Sequence, residues 1–185
     1  MLELPLNSFI HCQNILPPAF CDSVVKSISE EEYSEHEFYD AISKTRYSNE
    51  NELEICYSDI PEMSELKDYV TKSITNYLDL LNMIWFSGVQ GFSEIRFNKY
   101  REDKQMAIHC DHIRSIFDGN RKGVPILTIL GLLNDSFEGG EFQMASNKID
   151  FKKGNILIFP SNFMYPHCVF PVKSGTRYSF VCWAF

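Results

Sequence analysis

The second half of this chain consists of short strand-like segments that follow one another closely. From about residue 88 to the end at residue 185, runs rich in β-branched and aromatic residues alternate with turn signals at 118–120, 138–140 and 153–155. The runs are GFSEIRFNKY, VPILTILGLL, EFQMA, NILIFP, MYPHCVFPV and TRYSFVCWAF. A second layer of such strands closing on the first would form a jelly roll or a barrel.

Two helices are predicted ahead of these strands. The first opens at Pro17-Pro18, because proline is favoured in the first helical turn. The second is predicted from about Pro61 to Met83 and carries one apolar stripe that would pack against a sheet. The stripe consists of Met63, Leu66, Val70, Ile74, Tyr77 and Leu81. The predicted class is therefore α+β, mainly β, with a jelly-roll core and N-terminal helices packed on one sheet.

The chain has the length of one domain, and it contains no internal repeat and no long flexible linker. We predict a single domain over residues 1–185, in which residues 1–87 supply helical support and loops and residues 88–185 supply the jelly-roll strands. Residues 29–38 are strongly acidic and are predicted to form an exposed loop. Residues 39–57 are predicted to form irregular strands or a flap.

Charge and composition exclude several classes of partner. Seventeen Lys and Arg against 25 Asp and Glu give a net charge of −8, which argues against general nucleic-acid binding and against adhesion to anionic lipid. No apolar run approaches the roughly 20 residues of a membrane span, and the N-terminus lacks the basic start of a signal peptide. The six cysteines form no C-x-x-C pair, so free thiols and a cytoplasmic location are predicted.

The string His109-Cys110-Asp111 is the first chemical signal. In a strand, His109 and Asp111 would project from the same face, although such a triplet alone also fits an ordinary surface pair. His167 lies 56 residues beyond Asp111, and a sheet that folds back on itself would bring it close. Two imidazoles and one carboxylate form the triad of non-haem Fe(II) oxygenases, whereas a structural zinc site needs four ligands and usually thiolates.

Arg177 is the second chemical signal. Strand alternation places Arg177 on the same face as Ser179, Val181 and Trp183. A buried arginine needs an anionic partner, and its planar guanidinium suits a two-point grip on a carboxylate. An edge-strand arginine that reaches solvent or pairs with a surface acid is an equally good interpretation of this residue alone.

Together these segments resemble the Fe(II)/2-oxoglutarate-dependent dioxygenases, and most closely their prolyl 4-hydroxylase-like branch. The likeness covers about the C-terminal half of the chain, where order, spacing and flanking residues agree. The matching strings are H-C-D at 109–111, E-G-G-E-F at 138–142, G-N-I-L-I-F-P-S at 154–161, Y-P-H-C-V-F-P-V at 165–172 and S-G-T-R-Y-S-F-V-C-W-A-F at 174–185.

The resemblance implies a double-stranded β-helix fold and an iron site formed by His109, Asp111 and His167. It implies that Arg177 binds the distal carboxylate of 2-oxoglutarate. The cofactors would be Fe(II), 2-oxoglutarate and O2, with ascorbate as a candidate reductant.

The resemblance also implies roles for three further residues. Tyr100 matches a tyrosine that contacts 2-oxoglutarate in many relatives, and Thr128 looks like a second polar contact to the same co-substrate. Trp183, six residues past Arg177, is similar to the tryptophan that lines the prolyl pocket in several of these hydroxylases.

The resulting hypothesis is an oxygenase that hydroxylates a residue of a polypeptide, with proline favoured and a ribosomal protein or elongation factor as the expected partner. The loops at 29–57 and the basic segment 112–123 would frame a peptide groove, or they are ordinary surface loops. Two alternatives stay open: a hydroxylase of a free amino acid or other small molecule, and a non-catalytic jelly-roll binding module. A nucleic-acid demethylase is disfavoured by the net charge, and a zinc hydrolase by the lack of an obvious general base.

Overall fold

The structure is a computed structural model that describes residues 6–40, 43–86, 88–111 and 124–185. The basic segment 112–123, with the turn signal predicted at 118–120, lies outside the described residues.

The described residues form two α-helices and fifteen strands, preceded by a 3-10 turn at Leu6–Phe9. The helices are α1 (Pro18–Ser29) and α2 (Met63–Leu81). The strands are β1 (His11–Asn14), β2 (Ser34–Glu35), β3 (Phe38–Asp40), β4 (Thr45–Tyr47), β5 (Glu54–Cys56), β6 (Arg96–Tyr100), β7 (Met106–His109), β8 (Leu127–Leu132), β9 (Phe137–Gly139), β10 (Phe142–Met144), β11 (Asn147–Lys148), β12 (Asn155–Pro160), β13 (His167–Val169), β14 (Val172–Gly175) and β15 (Arg177–Ala184).

Two antiparallel sheets form the core of the fold. The larger sheet has the order β1-β12-β8-β15-β6-β5-β2, and the smaller has the order β11-β10-β13-β7. Strands that are distant in sequence, such as β6 and β15, are therefore neighbours in space. Side chains from both sheets share one buried cluster between them. This two-layer arrangement is a double-stranded β-helix, and it confirms the predicted α+β class with a jelly-roll core.

Both helices pack on the outer face of the larger sheet. Their apolar stripes join strand residues such as Ile129 and Phe180 in a second buried cluster. Helix α2 is shorter than the predicted 61–83 because Asn82 adopts a left-handed conformation (φ 42°) that ends it. No helix within the described part of the chain is long and apolar enough to cross a membrane.

Strand β15 separates the two sides of the larger sheet. Its residues Phe180 and Cys182 point towards the helices, while the alternate residues face the smaller sheet. On the neighbouring strand β8, Gly131 lies opposite Phe180. A Cβ atom at Gly131 would collide with the Phe180 ring, so the close approach of these strands requires glycine.

The N-terminal half departs from its predictions in two places. Within the segment 29–38, predicted as an exposed loop, Ser34–Glu35 pair with β5 and His36 is buried. The polar strand His11–Asn14 was not predicted, because its residues show no apolar alternation, yet it pairs along its whole length with β12. Within residues 39–57, the strands expected there are β3, β4 and β5.

Candidate active site

A cleft opens between the two sheets, with about 400 Å³ of space including its mouth. The larger sheet contributes polar residues of β6 and one face of β15, and the smaller sheet contributes residues of β7, β10 and β13.

His109, Asp111 and His167 converge in this cleft. His109 ends β7 and is the cross-strand partner of His167 at the start of β13, and Asp111 lies two residues past β7. One ligand atom from each residue lies within 4.8 Å of the others. The Nε2 atoms of His109 and His167 lie 3.5 and 3.7 Å from the Asp111 carboxylate oxygens. These separations are longer than ordinary hydrogen bonds.

Backbone carbonyls orient both imidazoles. Nδ1 of His109 donates to the Ala107 carbonyl at 2.8 Å, and Nδ1 of His167 donates to the Tyr165 carbonyl at 3.1 Å. With the ring proton at Nδ1, each Nε2 presents a lone pair to the cleft. Three acceptor atoms therefore point at one position, which fits a divalent cation such as Fe(II) bound by nitrogen and oxygen ligands.

Asp111 is held as a carboxylate. Burial acts to raise its pKa, but the two imidazoles and the Thr128 hydroxyl more than offset this effect, and the pKa lies well below its usual range. Thr128 Oγ1 donates to Asp111 Oδ2 at 2.8 Å. Since a hydroxyl donates only one proton, Ser161 Oγ, at 2.7 Å, donates to Thr128 in turn. Two buried hydroxyls thus fix one carboxylate oxygen.

This geometry leads us to propose that Thr128 positions Asp111, whereas the resemblance implied a co-substrate contact. Thr128 is fully buried and does not line the cleft. Loss of a partner that orients a metal ligand typically costs about 10–100-fold in metal affinity.

The Thr128→Val variant, which has nearly the same shape without the hydroxyl, is therefore expected to bind Fe(II) at least about tenfold more weakly. Its affinity for 2-oxoglutarate, measured on protein saturated with metal, should stay unchanged. Thr128→Ser is the matched control and should behave like the original protein. Weaker 2-oxoglutarate binding with normal metal affinity would contradict the positioning role.

Arg177 lies fully buried at one end of the cleft. Its Nη1 donates to Ser179 Oγ at 3.0 Å, while its Nε has no hydrogen-bond partner in the part of the chain that the structure describes. Tyr100 is its cross-strand neighbour, and the guanidinium lies 4.9 Å from the Tyr100 ring centre. Among the described residues Arg177 forms no ion pair with a carboxylate. Burying an unpaired cation is costly, so this end of the cleft fits a carboxylate ligand such as that of 2-oxoglutarate.

The other sequence-predicted residues lie at defined places. Tyr100 and Trp183 both line the cleft, and no described residue forms a hydrogen bond with the buried Trp183 Nε1. Sequence reasoning missed Arg96 and Asn98, which also line it. The signal was present, because residues 96, 98 and 100 alternate with the apolar residues at 95 and 97 and therefore share the face of Tyr100.

Buried imidazoles make the stability of the metal-free protein depend on pH. Burial lowers the pKa of His36 and of His167 to about 4, below the ordinary value of 6.5. Between these values the unfolded chain binds more protons than the folded chain. The free energy of unfolding therefore falls as the pH is lowered from about 6.5 towards 4.

We expect the His36→Gln variant to lose less stability on acidification than the original protein, by about 1–3 kcal/mol. Urea unfolding at about pH 7 and about pH 4.5 measures this difference. An identical loss in both proteins would show that His36 does not titrate on unfolding.

Comparison with known proteins relates this site to a family. Residues 95–185, which contain every cleft-lining residue named above, match the model of the 2OG-Fe(II) oxygenase superfamily. No curated protein sequence matches the chain.

Solved structures with the same fold include three prolyl hydroxylases. A Trichoplax adhaerens prolyl hydroxylase, in complex with a peptide fragment of the hypoxia inducible factor oxygen degradation domain, aligns with a TM-score of 0.70 and 19% identity over 96% of this chain and 84% of that chain. The viral collagen prolyl hydroxylase of Paramecium Bursaria Chlorella virus-1 aligns with a TM-score of 0.67 and 17% identity over 95% of this chain and 94% of that chain. A Pseudomonas putida prolyl-4-hydroxylase aligns with a TM-score of 0.66 and 19% identity over 95% of this chain and 91% of that chain.

Proposed function

The chain belongs, through residues 95–185, to the 2OG-Fe(II) oxygenase superfamily, and from that premise we propose that it hydroxylates a prolyl residue of a polypeptide. The observation that carries this proposal is one cleft that holds the triad of His109, Asp111 and His167 together with the buried Arg177, which pairs with no carboxylate of the described residues. The shared fold of three prolyl hydroxylases, one of them with a peptide, supports proline as the target. Membership of an oxygenase family favours catalysis over a non-catalytic binding module.

His109, Asp111 and His167 would hold the ferrous ion, and Arg177 would hold the distal carboxylate of 2-oxoglutarate. When bound, this pair supplies an oxidation in which O2 and 2-oxoglutarate yield succinate, CO2 and one oxygen atom for a substrate C–H bond. A triad leaves three positions for exogenous ligands, which is the number that a chelating co-substrate and O2 require.

The remaining cleft residues set the environment of the substrate. Val181, Leu130 and Phe142 give the cleft apolar walls, which would exclude water from the reacting C–H bond. The Trp183 ring lies on the same strand face as Arg177 and would flank the target ring. The Tyr100 ring, whose centre lies 4.9 Å from the Arg177 guanidinium, would order the co-substrate.

A ribosomal protein or an elongation factor is the proposed protein substrate, and the cytoplasm is the proposed location. The strands β2 to β5, within residues 29–57, would form one side of a peptide groove. His36 supports this placement, because this buried residue lies close enough to Arg96, His109 and Asp111 for their charges to act on its pKa, although burial has the largest effect.

Incubation with Fe(II), 2-oxoglutarate, ascorbate and a panel of proline-containing peptides tests the function by mass spectrometry. We expect the addition of one oxygen atom at proline, with equal amounts of succinate, and no reaction when 2-oxoglutarate is omitted. The Asp111→Ala variant is the matched inactive control. Oxidation of free amino acids without oxidation of any peptide would contradict the proposal and favour the small-molecule alternative.

A further inference from the structure

A second arginine faces the cleft without an acidic partner. Arg96 lies on β6, two residues from Asn98 and four from Tyr100, and lines the same cavity as the triad. Its Nε donates to Asn98 Oδ1 at 3.0 Å, and its guanidinium lies 5.2 Å from the Trp183 ring centre. Within the described ranges, Arg96 forms no ion pair with a carboxylate. Nε is the Arg96 donor that has a hydrogen-bond partner among those residues, which leaves the two Nη groups to bind a ligand.

Trp183 supplies a second unused donor beside Arg96. Trp183 is 8% exposed, and its buried Nε1 has no hydrogen-bond partner within residues 6–40, 43–86, 88–111 and 124–185. A buried N–H group without an acceptor costs free energy. The Arg96 guanidinium and the Trp183 N–H lie at the same end of the cleft. Together they would bind an anion that has at least two acceptor atoms, such as a carboxylate.

Arg96 is too far along the sheet to share the ligand of Arg177. Arg177 is paired with Tyr100, and Val181 is paired with Arg96. The two arginines therefore occupy positions four residues apart, about 13 Å along the strands. Arg177 and Tyr100 mark one end of the cleft, and Arg96 and Trp183 mark the other.

The net charge of the cleft with Fe(II) and 2-oxoglutarate bound also favours an anionic ligand beside Arg96. The charges of Fe(II), the Asp111 carboxylate, doubly ionised 2-oxoglutarate and the Arg177 guanidinium cancel. Among the described residues that line the cleft, Arg96 then adds one further positive charge without an acidic partner. An electropositive and partly desolvated site selects a ligand that carries a negative charge.

We infer that Arg96 and Trp183 form a subsite for a carboxylate of the substrate. This inference rests on the proposed oxygenase function and narrows its substrates to acidic ones. The carboxylate has two sources: an Asp or Glu side chain next to the target residue of a polypeptide, or the α-carboxylate of a free amino acid. Both present the same group to the same donors, and the experiment separates them.

Binding to protein loaded with Fe(II) and 2-oxoglutarate in the absence of O2 tests this inference without turnover. One set of ligands consists of peptide pairs that carry Asp or Asn beside a central proline, and the other compares L-proline with its amide. We expect the carboxylate member of one set to bind about 10–100-fold more tightly than its amide, the effect of a hydrogen bond to a charged group. The set that shows the preference identifies the source of the carboxylate.

Arg96→Gln should abolish this preference and leave 2-oxoglutarate affinity unchanged. The matched control is Arg101→Gln, which removes the same charge from an exposed residue paired with Glu54 at 2.8 Å and should keep the preference. In a Trp85→Phe background, Trp183 is the sole tryptophan, so a fluorescence change on binding of the carboxylate ligand places that ligand beside it.

Equal affinity for acid and amide in both sets of ligands would overturn the inference, and this comparison needs no substitution. A loss of 2-oxoglutarate binding in Arg96→Gln would also overturn it, because Arg96 would then serve the co-substrate. Neither result bears on the proposed function, which depends on whether proline gains oxygen. Conversely, a preference for L-proline over its amide, without oxidation of any peptide, would support the subsite and contradict the peptide substrate.

Discussion

The Asp111→Ala variant is expected to lose hydroxylase activity and to bind Fe(II) more than about a hundredfold more weakly. Asp111 provides the only carboxylate of the triad, and its low pKa keeps it charged throughout the physiological range. Without it, two neutral imidazoles would have to hold a divalent cation. Calorimetry under anaerobic conditions measures the affinity.

Asp150→Ala is the matched control for Asp111→Ala, because Asp150 is an exposed carboxylate that pairs with Lys152 at 2.7 Å outside the cleft. It removes the same charge and should leave Fe(II) affinity unchanged. Iron affinity in Asp111→Ala equal to that of the original protein would refute the proposed ligand set.

The Arg177→Gln variant is expected to bind 2-oxoglutarate at least about 30-fold more weakly, while Fe(II) affinity is retained. Removal of one partner of a buried charge pair typically costs about 2–5 kcal/mol, and this guanidinium is fully buried. Titration of 2-oxoglutarate into metal-loaded protein measures the effect. An unchanged co-substrate requirement would contradict the role of Arg177.

The stability of the Arg177→Gln variant can be measured apart from its affinity for 2-oxoglutarate. The ligand-free protein buries Arg177 without an acidic partner in the described residues, so glutamine removes a desolvation cost along with one hydrogen bond to Ser179. We therefore expect Arg177→Gln to unfold in urea at a concentration no lower than the original protein does. A large loss of stability would attribute the weaker binding to misfolding.

Much of the fold follows from periodicity. The stripe from Met63 to Tyr77 repeats with the helical period and is buried against the sheet. The run ILIFP is continuously apolar and forms all of β12 except its first residue, and β12 lies between two other strands. Strand β1 could not be predicted because the pairing of its polar residues with β12 is stabilised by backbone hydrogen bonds, which leave no trace in side-chain polarity.

The composition of the site was predictable for a similar reason, and its contacts were not. Alternation alone places Arg177 and Trp183 on one face, and the same rule applied to β6 would have found Arg96. The convergence of His109 and His167 depends on the pairing of β7 with β13, which no local pattern specifies. The hydrogen bond from Thr128 to Asp111 likewise depends on the approach of two distant segments.

A crystal structure with Fe(II) and 2-oxoglutarate, obtained without O2, tests the central claim most directly. We predict one metal ion bonded to Nε2 of His109, Nε2 of His167 and one carboxylate oxygen of Asp111, with the distal carboxylate of 2-oxoglutarate on Arg177. An ion bound at other residues, or a co-substrate whose carboxylates both lie away from Arg177, would contradict it.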